Sequence, residues 1–203
     1  MKSYRTTLLI CVFILVGWIA SAHFNNLKLF ETQNSKLILK FGAINGESME
    51  RGQYWKLITS QFLHQKFPHM LFNIALIFYL GSIFETLFGS RVFLITYFVT
   101  GIVGQIASVL SYPMEASSGA SQALCGIVGA YITLLLFPRL CRKTVICTIF
   151  VFLAIQAFLD VYFAGYLKSG HSIGFLSGFF LGIILRFFFL QKELVILNSE
   201  TMK

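Results

Sequence analysis

Residues 117–137 read SSGASQALCGIVGAYITLLLF, a stretch that begins with small and polar side chains and then turns apolar. Its apolar part approaches the roughly 20 residues that an α-helix needs to cross the hydrocarbon of a bilayer. The stretch therefore predicts a membrane-spanning helix. The entrance of that helix needs its own explanation, because Ser121 and Gln122 place a hydroxyl and an amide there.

The composition of the whole chain indicates lipid as its surroundings. Of the 203 residues, 57% are hydrophobic and only 12% are charged, whereas a soluble domain carries about 25% charged residues. The net charge of +8 fits Lys and Arg gathered at the cytoplasmic ends of membrane spans. Outside the apolar runs no basic stripe alternates with aromatic residues, so we predict a lipid bilayer and no nucleic acid as partner.

Six apolar stretches are long enough to span a bilayer, so the predicted fold class is an all-α polytopic membrane protein. We place the spans at about 7–23, 69–88, 92–111, 120–137, 144–164 and 172–190. The connections are short except for a long first loop, residues 24–68, and residues 1–203 form one predicted domain. The first span resembles a signal peptide around Ala20, but its apolar run is longer than most, and we expect an uncleaved helix.

Basic residues in the short connections predict the orientation of the spans. They lie before span 1, between spans 2 and 3, and between spans 4 and 5: Lys2, Arg5, Arg91, Arg139, Arg142 and Lys143. The turn between spans 3 and 4 has none. We therefore expect cytoplasmic termini and an external first loop, although that loop carries six Lys or Arg, because long loops count less. Spans 2, 4 and 6 then run inward, and their polar first residues share one outer layer.

Ser121 and His171 are the first pair of polar residues in that layer. His171 enters span 6, where glycines recur every fourth residue and allow another helix to approach closely: Gly170, Gly174, Gly178 and Gly182. Span 4 offers Gly126 as its own small surface below Ser121. At matched depth the pair predicts a nucleophile and its base, because a serine hydroxyl needs a neighbour to take its proton. The alternative is a serine and a histidine that only join helices.

A second group of polar residues is formed by His64, His69 and Asn73. His69 and Asn73 are four residues apart and share a helix face. The three side chains could line a recess that retains water and donate hydrogen bonds to an oxyanion. Interfacial anchoring is one alternative. A zinc site is another, but an HExxH helix and a nearby acidic residue are missing, so we predict no metal.

Other polar residues are predicted to be structural. Asp160 in span 5 could complete a Ser-His-Asp triad, but we expect it to pair helices or to bond Gln156 one turn earlier. Glu85 and Arg91 are expected to pair or to snorkel at the cytoplasmic end of span 2. The four cysteines, Cys11, Cys125, Cys141 and Cys147, lack metal-type spacing and are expected to be reduced.

From Trp55 onward the chain resembles the rhomboid family of intramembrane serine proteases, in the compact six-helix form found in bacteria. The resemblance lies in four ordered segments: HQKFPHMLFN at 64–73, YLGSIFETLFGS at 79–90, GASQ at 119–122 and GHSIGFLSG at 170–178. It implies a bacterial plasma membrane and transmembrane proteins as substrates. It implies no metal and no organic cofactor, and it leaves the oligomeric state open.

The resemblance also implies roles for individual residues. Ser121 would be the nucleophile and His171 the general base, in a dyad without an acidic member. His69 and Asn73 would bind the oxyanion with the backbone N–H of Ser121. Gly119 would shape the turn before the serine. His64 would support the site from the first loop.

Three positions depart from the family pattern. Gln122 stands where the family usually has Gly and would crowd the backbone beside the nucleophile. Cys125, one turn below Ser121, replaces an aromatic residue, and Lys56 stands for Arg. The rival interpretation is an inactive rhomboid-like protein that binds membrane clients, although such relatives typically lack the serine or the histidine. A small transporter is a further rival, but the two halves show no internal symmetry.

Overall fold

The computed structural model describes residues 4–28, 30–134, 143–164 and 168–201. Ten α-helices occur in these ranges: α1 (Arg5–Phe24), α2 (Ser35–Phe41), α3 (Gly46–Glu50), α4 (Lys56–Thr59), α5 (Phe67–Leu76), α6 (Ser82–Phe88), α7 (Ser90–Ser111), α8 (Ser121–Leu134), α9 (Lys143–Ala164) and α10 (Ser169–Thr201). A 3₁₀ turn at Ser60–Phe62 follows α4, and a π-helical turn at Ile77–Gly81 joins α5 to α6. Within the described ranges there is no β-strand, only an isolated bridge between Ile44 and Ser117.

The predicted all-α membrane architecture is confirmed. Among the described residues, five helical segments are long and apolar enough to cross a membrane: Arg5–Phe24, Phe67–Phe88, Ser90–Ser111, Lys143–Tyr162 and Ser169–Phe187. α8 is a shorter apolar helix of 14 residues. Residues 135–137 of the predicted fourth span lie outside the described residues, as do Lys2, Arg139, Cys141 and Arg142. α10 continues past the predicted end at 190 and includes the polar residues up to Thr201.

The long first loop is folded and contacts the segment that precedes α8. Asn34 and Asn45 cap α2 and α3 by accepting from the N–H groups of Lys36 and Ser48. The chain then pairs with the α7–α8 connection through the bridge between Ile44 and Ser117. The first loop therefore fixes the backbone just before Ser121.

Lys56, the residue at a family arginine position, supports this loop from inside. Its ammonium donates to the carbonyl of Leu39 at 3.0 Å and to the Ser48 hydroxyl at 3.2 Å. Burial lowers the pKa of Lys56, with a smaller contribution from nearby Arg51. A lysine can therefore hold two parts of the loop together, with a point charge in place of the planar fork of Arg.

α8 is the central helix and is buried on all its faces from Ser121 to Tyr131. A Cβ at Gly174 of α10 would lie 2.6 Å from the Gln122 carbonyl oxygen, and one at Gly178 would overlap the carbonyl of Gly126. A Cβ at Gly126 would in turn overlap Thr100 of α7. The small residues thus allow α8 to lie in backbone contact between α7 and α10.

Glu85 departs from its predicted role. Its carboxylate accepts from the backbone N–H groups of Thr6 and Thr7 at 3.1 and 2.7 Å and from the hydroxyls of Thr7 and Ser90, both at 2.7 Å. Glu85 therefore caps the start of α1 instead of pairing with Arg91. The expectation was wrong because it considered only the neighbours of Glu85 in sequence, whereas a helix start from another part of the chain supplies free N–H groups.

Candidate active site

The site is centred on a direct contact between Ser121 and His171. Ser121 is the first residue of α8, and His171 lies in the first turn of α10. The Ser121 Oγ and the His171 Nε2 are 2.8 Å apart, and both residues are buried. The glycine contacts between α8 and α10 make this short distance possible, because they bring the two helix starts together at one depth.

Asp160 lies on the other side of the imidazole. Its Oδ2 and Oδ1 are 2.8 and 3.0 Å from the His171 Nδ1, and the residue is buried near the end of α9. Gln156 Nε2 also donates to Asp160 Oδ1 at 3.2 Å, as the one-turn spacing predicted. Asp160 thus joins α9 to α10, as expected, but it does so through the His171 ring, a partner that the sequence analysis did not assign to it. The available signal was the separation of only 11 residues between Asp160, near the end of α9, and His171, at the start of α10.

The Gln122 side chain places a second acceptor within reach of the Ser121 hydroxyl. Its Oε1 is 3.3 Å from the Ser121 Oγ, a longer contact than that to His171. A Cβ at Gly104 of α7 would lie 2.6 Å from the Gln122 Cβ, and one at Gly170 would lie 3.3 Å from its Cγ. The side chain predicted to crowd the nucleophile therefore occupies space that two glycines leave open.

The turn before Ser121 is held from several sides. Gly119 has φ of +128°, a conformation that favours glycine. Its N–H donates to the Ser60 carbonyl at 2.9 Å, and its carbonyl accepts from Gln105 Nε2 at 3.2 Å. The N–H of Ala120 donates to His64 Nε2 at 3.4 Å. His64 thus contacts the turn from the first loop.

His64 is completely buried, and this determines its charge. Burial, reinforced by the neighbouring His69, holds the pKa of His64 well below its ordinary value. A neutral imidazole can accept at Nε2, whereas a protonated one cannot. The contact with the Ala120 N–H therefore requires the neutral form that burial favours.

His69 and Asn73 lie in different surroundings. His69 lines the cavity beside Ser121, and its ring centroid is 5.3 Å from that of His64. Asn73 is buried and donates through its amide to the His69 carbonyl at 2.8 Å. Among the described residues that line the cavity, Asn73 does not occur. The oxyanion roles of both residues stay predictions.

A cavity of about 610 Å³ opens above the Ser121–His171 pair. Its lining is largely polar, although the surrounding helices are apolar: Gln65, Lys66, His69, Ser108, Tyr112, Glu115, Ala116, Ser117, Ser118, Ser121, Gln122, Gln156, Leu159, Asp160, Lys168 and His171. Such a lining can hold the water that peptide hydrolysis needs.

Two other expectations concern the cysteines and a metal site. Cys11, Cys125 and Cys147 are free thiols, and Cys125 is buried in α8 one turn beyond Ser121. In the part of the chain that the structure describes, no three His, Cys, Asp or Glu side chains group closely enough to hold a metal ion. The absence of a metal in the working protein stays a prediction.

Comparison with known proteins assigns the family. Residues 51–188 match the family model described as Rhomboid domain, so the chain belongs to the rhomboid family and is an integral membrane protein. It is 32% identical over 148 residues to Rhomboid protease GluP of Bacillus subtilis (strain 168) and 30% identical over 156 residues to Rhomboid-like protease 3 of Toxoplasma gondii. It is also 33% identical over 152 residues to RHOMBOID-like protein 5 of Arabidopsis thaliana.

These similarities cover most of this chain but only part of each relative. They span 72%, 75% and 72% of the chain, and 29%, 58% and 48% of GluP, Rhomboid-like protease 3 and RHOMBOID-like protein 5. The residues that match the family model, 51–188, include the whole candidate site from His64 to Gly178.

Proposed function

We propose that this protein is an intramembrane serine endopeptidase that cleaves the transmembrane segments of other membrane proteins. The observation that carries the proposal is the 2.8 Å contact between Ser121 Oγ and His171 Nε2 beneath a polar cavity. Two relatives named as proteases, GluP and Rhomboid-like protease 3, support the same reaction class. A bacterial plasma membrane with cytoplasmic termini remains part of the proposal.

The first half of the reaction forms an acyl-enzyme. His171 Nε2 takes the proton of the Ser121 hydroxyl while Oγ attacks the carbonyl carbon of the peptide bond. The resulting tetrahedral intermediate collapses when the C–N bond breaks and the imidazolium gives its proton to the leaving amine. One substrate fragment departs with a new amino terminus, and the other remains bound to Ser121 as an ester.

The second half releases that ester with water. His171 Nε2 takes a proton from a water molecule in the cavity, and the hydroxide oxygen attacks the ester carbonyl. The C–Oγ bond breaks, Ser121 recovers its proton from the imidazolium, and a carboxylic acid leaves. The polar lining supports this step because the same side chains that face the pair can hold the water.

We assign the binding of the oxyanion to hydrogen-bond donors from α8 and α5. The Ser121 N–H belongs to the first turn of a helix, where backbone donors lack intrahelical partners. His69 faces the same cavity, and Asn73 has a second amide hydrogen besides the one given to the His69 carbonyl. Removing one such donor costs on the order of a hundredfold or more in rate.

The substrate is a membrane-spanning segment that unwinds locally. Peptide carbonyls within a helix are bonded to N–H groups four residues later, so an intact helix shields them from Ser121. The resemblance to rhomboid proteases implies small residues at the cleaved bond and helix-destabilising residues nearby.

Labelling and cleavage together test the proposal. Wild-type protein should react with a fluorophosphonate probe and cleave at least one member of a panel of model transmembrane substrates. Ser121→Ala and His171→Ala should abolish both. Ser172→Ala is the matched control, because Ser172 is exposed next to His171 and its hydroxyl bonds only the Lys168 carbonyl in the described structure.

The rival interpretation predicts a different result. A protein that only binds membrane clients would leave every substrate intact and the probe unreacted, although it could still capture the substrates. Probe incorporation that survives both Ser121→Ala and His171→Ala would reject the proposed pair.

A further inference from the structure

We propose that Asp160 is a positioning residue for His171, which fixes the imidazole proton on Nδ1 and leaves Nε2 free to take the proton of Ser121. This inference rests on the proposed function of Ser121 and His171, and it adds an acidic partner where the family resemblance implies a dyad. Its basis is the contact of both Asp160 oxygens with Nδ1, at 2.8 and 3.0 Å, on the side of the ring opposite Ser121.

The hydrogen-bond network defines where the imidazole proton lies. An ionised carboxylate only accepts, so the Nδ1 beside Asp160 must carry a hydrogen. Gln156 Nε2 lies 3.2 Å from both Asp160 Oδ1 and His171 Nδ1. Since Nδ1 is already a donor, the amide of Gln156 donates to the carboxylate. Turning the amide over would set its oxygen against Oδ1, so only one arrangement satisfies all three groups.

The negative charge of the buried Asp160 carboxylate is stabilised by three hydrogen-bond donors. It accepts from His171 Nδ1, from Gln156 Nε2 and from the Lys168 backbone N–H at 3.1 Å. A buried charge is stable when its lone pairs are satisfied in this way. When His171 becomes an imidazolium during the reaction, Asp160 already lies beside the ring atom that shares the positive charge.

Other titratable groups face the same space from the neighbouring elements. His69 and Lys66 approach from the start of α5, Glu115 from the α7–α8 connection, Cys125 from α8 and Lys168 from the start of α10. Among the described residues, Ser121, Gln156 and Asp160 have side-chain polar atoms within hydrogen-bond distance of the His171 ring, and of these Asp160 accepts from Nδ1. The carboxylate is therefore the charged group that can determine which ring nitrogen is protonated.

Asp160 also contacts the backbone at the beginning of α10. The Lys168 N–H donates to its Oδ2, and the Lys168 carbonyl accepts from the His171 N–H at 3.0 Å. Loss of Asp160 could therefore reduce activity simply by loosening the helix start. The experiment has to separate this structural effect from control of the imidazole proton.

The test compares wild type with Asp160→Asn and Asp160→Glu in the full chain, purified in detergent, on a substrate that wild type cleaves. Asn keeps the shape of Asp but can offer an N–H to Nδ1, which favours the proton on Nε2. We expect kcat to fall by about 10²- to 10⁴-fold with little change in KM. Asp160→Glu should recover part of kcat, because it restores an acceptor. Ser172→Ala should behave as wild type.

The ¹⁵N spectrum of the histidines provides a readout that a structural role would not move. In wild type, and in Ser121→Ala, the His171 signals should be those of a ring protonated at Nδ1, assigned by their loss in His171→Gln. In Asp160→Asn the proton should move to Nε2, while the melting temperature stays close to that of wild type.

Each outcome decides the inference. A wild-type His171 protonated at Nε2, or an Asp160→Asn variant with kcat within about threefold of wild type, would overturn it. If Asp160→Asn does not fold, the wild-type spectrum alone decides. Failure of the proposed function is separate, because it would show as wild-type protein without Ser121-dependent labelling or cleavage.

Discussion

Gly119 shows how one residue connects the first loop to the nucleophile. Its φ of +128° is costly for any residue with a Cβ, and a Cβ there would lie 3.4 Å from His69 Cε1 and 3.6 Å from Ser121 Oγ. Its backbone is also bonded to Ser60 and Gln105. A change at Gly119 therefore acts on both the backbone and the reacting side chain.

We expect Gly119→Ala to lower the free energy of unfolding by about 1–2 kcal/mol, the usual cost of the left-handed region. We also expect kcat/KM to fall about tenfold, because the added methyl group would fill the space in van der Waals contact with both His69 and Ser121. Gly52→Ala is the matched control: Gly52 has φ of +70° with no atom within 4 Å of the Cβ position. Steady-state cleavage and thermal unfolding in detergent measure the two effects.

The control should lose stability by a similar amount and keep its activity. Equal losses of kcat/KM in both variants would show that backbone strain alone lowers the rate, and would remove the specific role assigned to the Gly119 turn.

Glu85 shows how helix ends, rather than helix faces, hold elements of this protein together. The start of α1 leaves backbone N–H groups without intrahelical partners, and the Glu85 carboxylate accepts two of them. The same carboxylate accepts from Ser90 at the beginning of α7. One buried side chain thus joins α1, α6 and α7 at one end of the bundle.

Glu85→Gln should lower the melting temperature clearly, because an amide keeps one acceptor oxygen and turns two hydrogens toward groups that are themselves donors. Hydrogen bonds to a charged group contribute about 1.5–3 kcal/mol each, and an unsatisfied buried donor costs a similar amount. Glu47→Gln is the control, since Glu47 pairs with Arg51 on the exposed surface and such pairs contribute about 0–1 kcal/mol. Indistinguishable melting temperatures for the two variants would contradict the capping role.

The glycines of α8 and α10 show a second way of joining elements. A recurrence every fourth residue was visible in the sequence and predicted one close-packing face. The structure identifies what lies against each position: the Gln122 backbone against Gly174 and the Gly126 carbonyl against Gly178. The register of these contacts sets His171 level with Ser121, so the geometry of the site depends on helix packing below it.

At the scale of the whole molecule, the two ends of the bundle differ. Glu85 meets the start of α1 at one end, whereas at the other end the start of α8 meets that of α10 and the first loop bonds the turn before α8. Large apolar side chains between these ends are exposed, among them Phe13, Phe158 and Phe180. This arrangement fits a protein whose middle faces lipid and whose two ends face water.

The orientation of those ends is predicted from the distribution of Lys and Arg. With the native cysteines replaced, Met114→Cys near the cavity should react with a membrane-impermeant maleimide on intact cells, since residue 114 is 92% exposed in the α7–α8 connection. Tyr4→Cys, exposed at the start of α1, should react only after the membrane is permeabilised. The reverse pattern would place the termini outside and the cavity on the cytoplasmic side.

Several features followed from the sequence alone because they depend on short-range properties. Apolar runs of sufficient length determine spans whatever packs beside them, and glycine spacing determines a close-packing face. The choice of Ser121 and His171 also followed from local features, since each is a polar residue at the start of an apolar helix. The distance between them did not, and the structure brings them to 2.8 Å.

The partners of the buried polar groups depend on how the helices pack in the folded protein. The sequence places Asp160 and Glu85 near the ends of apolar helices, and it correctly predicted Gln156 as a partner of Asp160, but it did not predict the partners from other helices. In the folded protein Asp160 meets the His171 ring, and Glu85 meets the start of α1. The physical reason is that a buried carboxylate accepts hydrogen bonds from whichever N–H and O–H groups lie within about 3 Å of it. Helix ends and side chains from distant parts of the chain supply these groups, and three-dimensional packing determines which of them come that close.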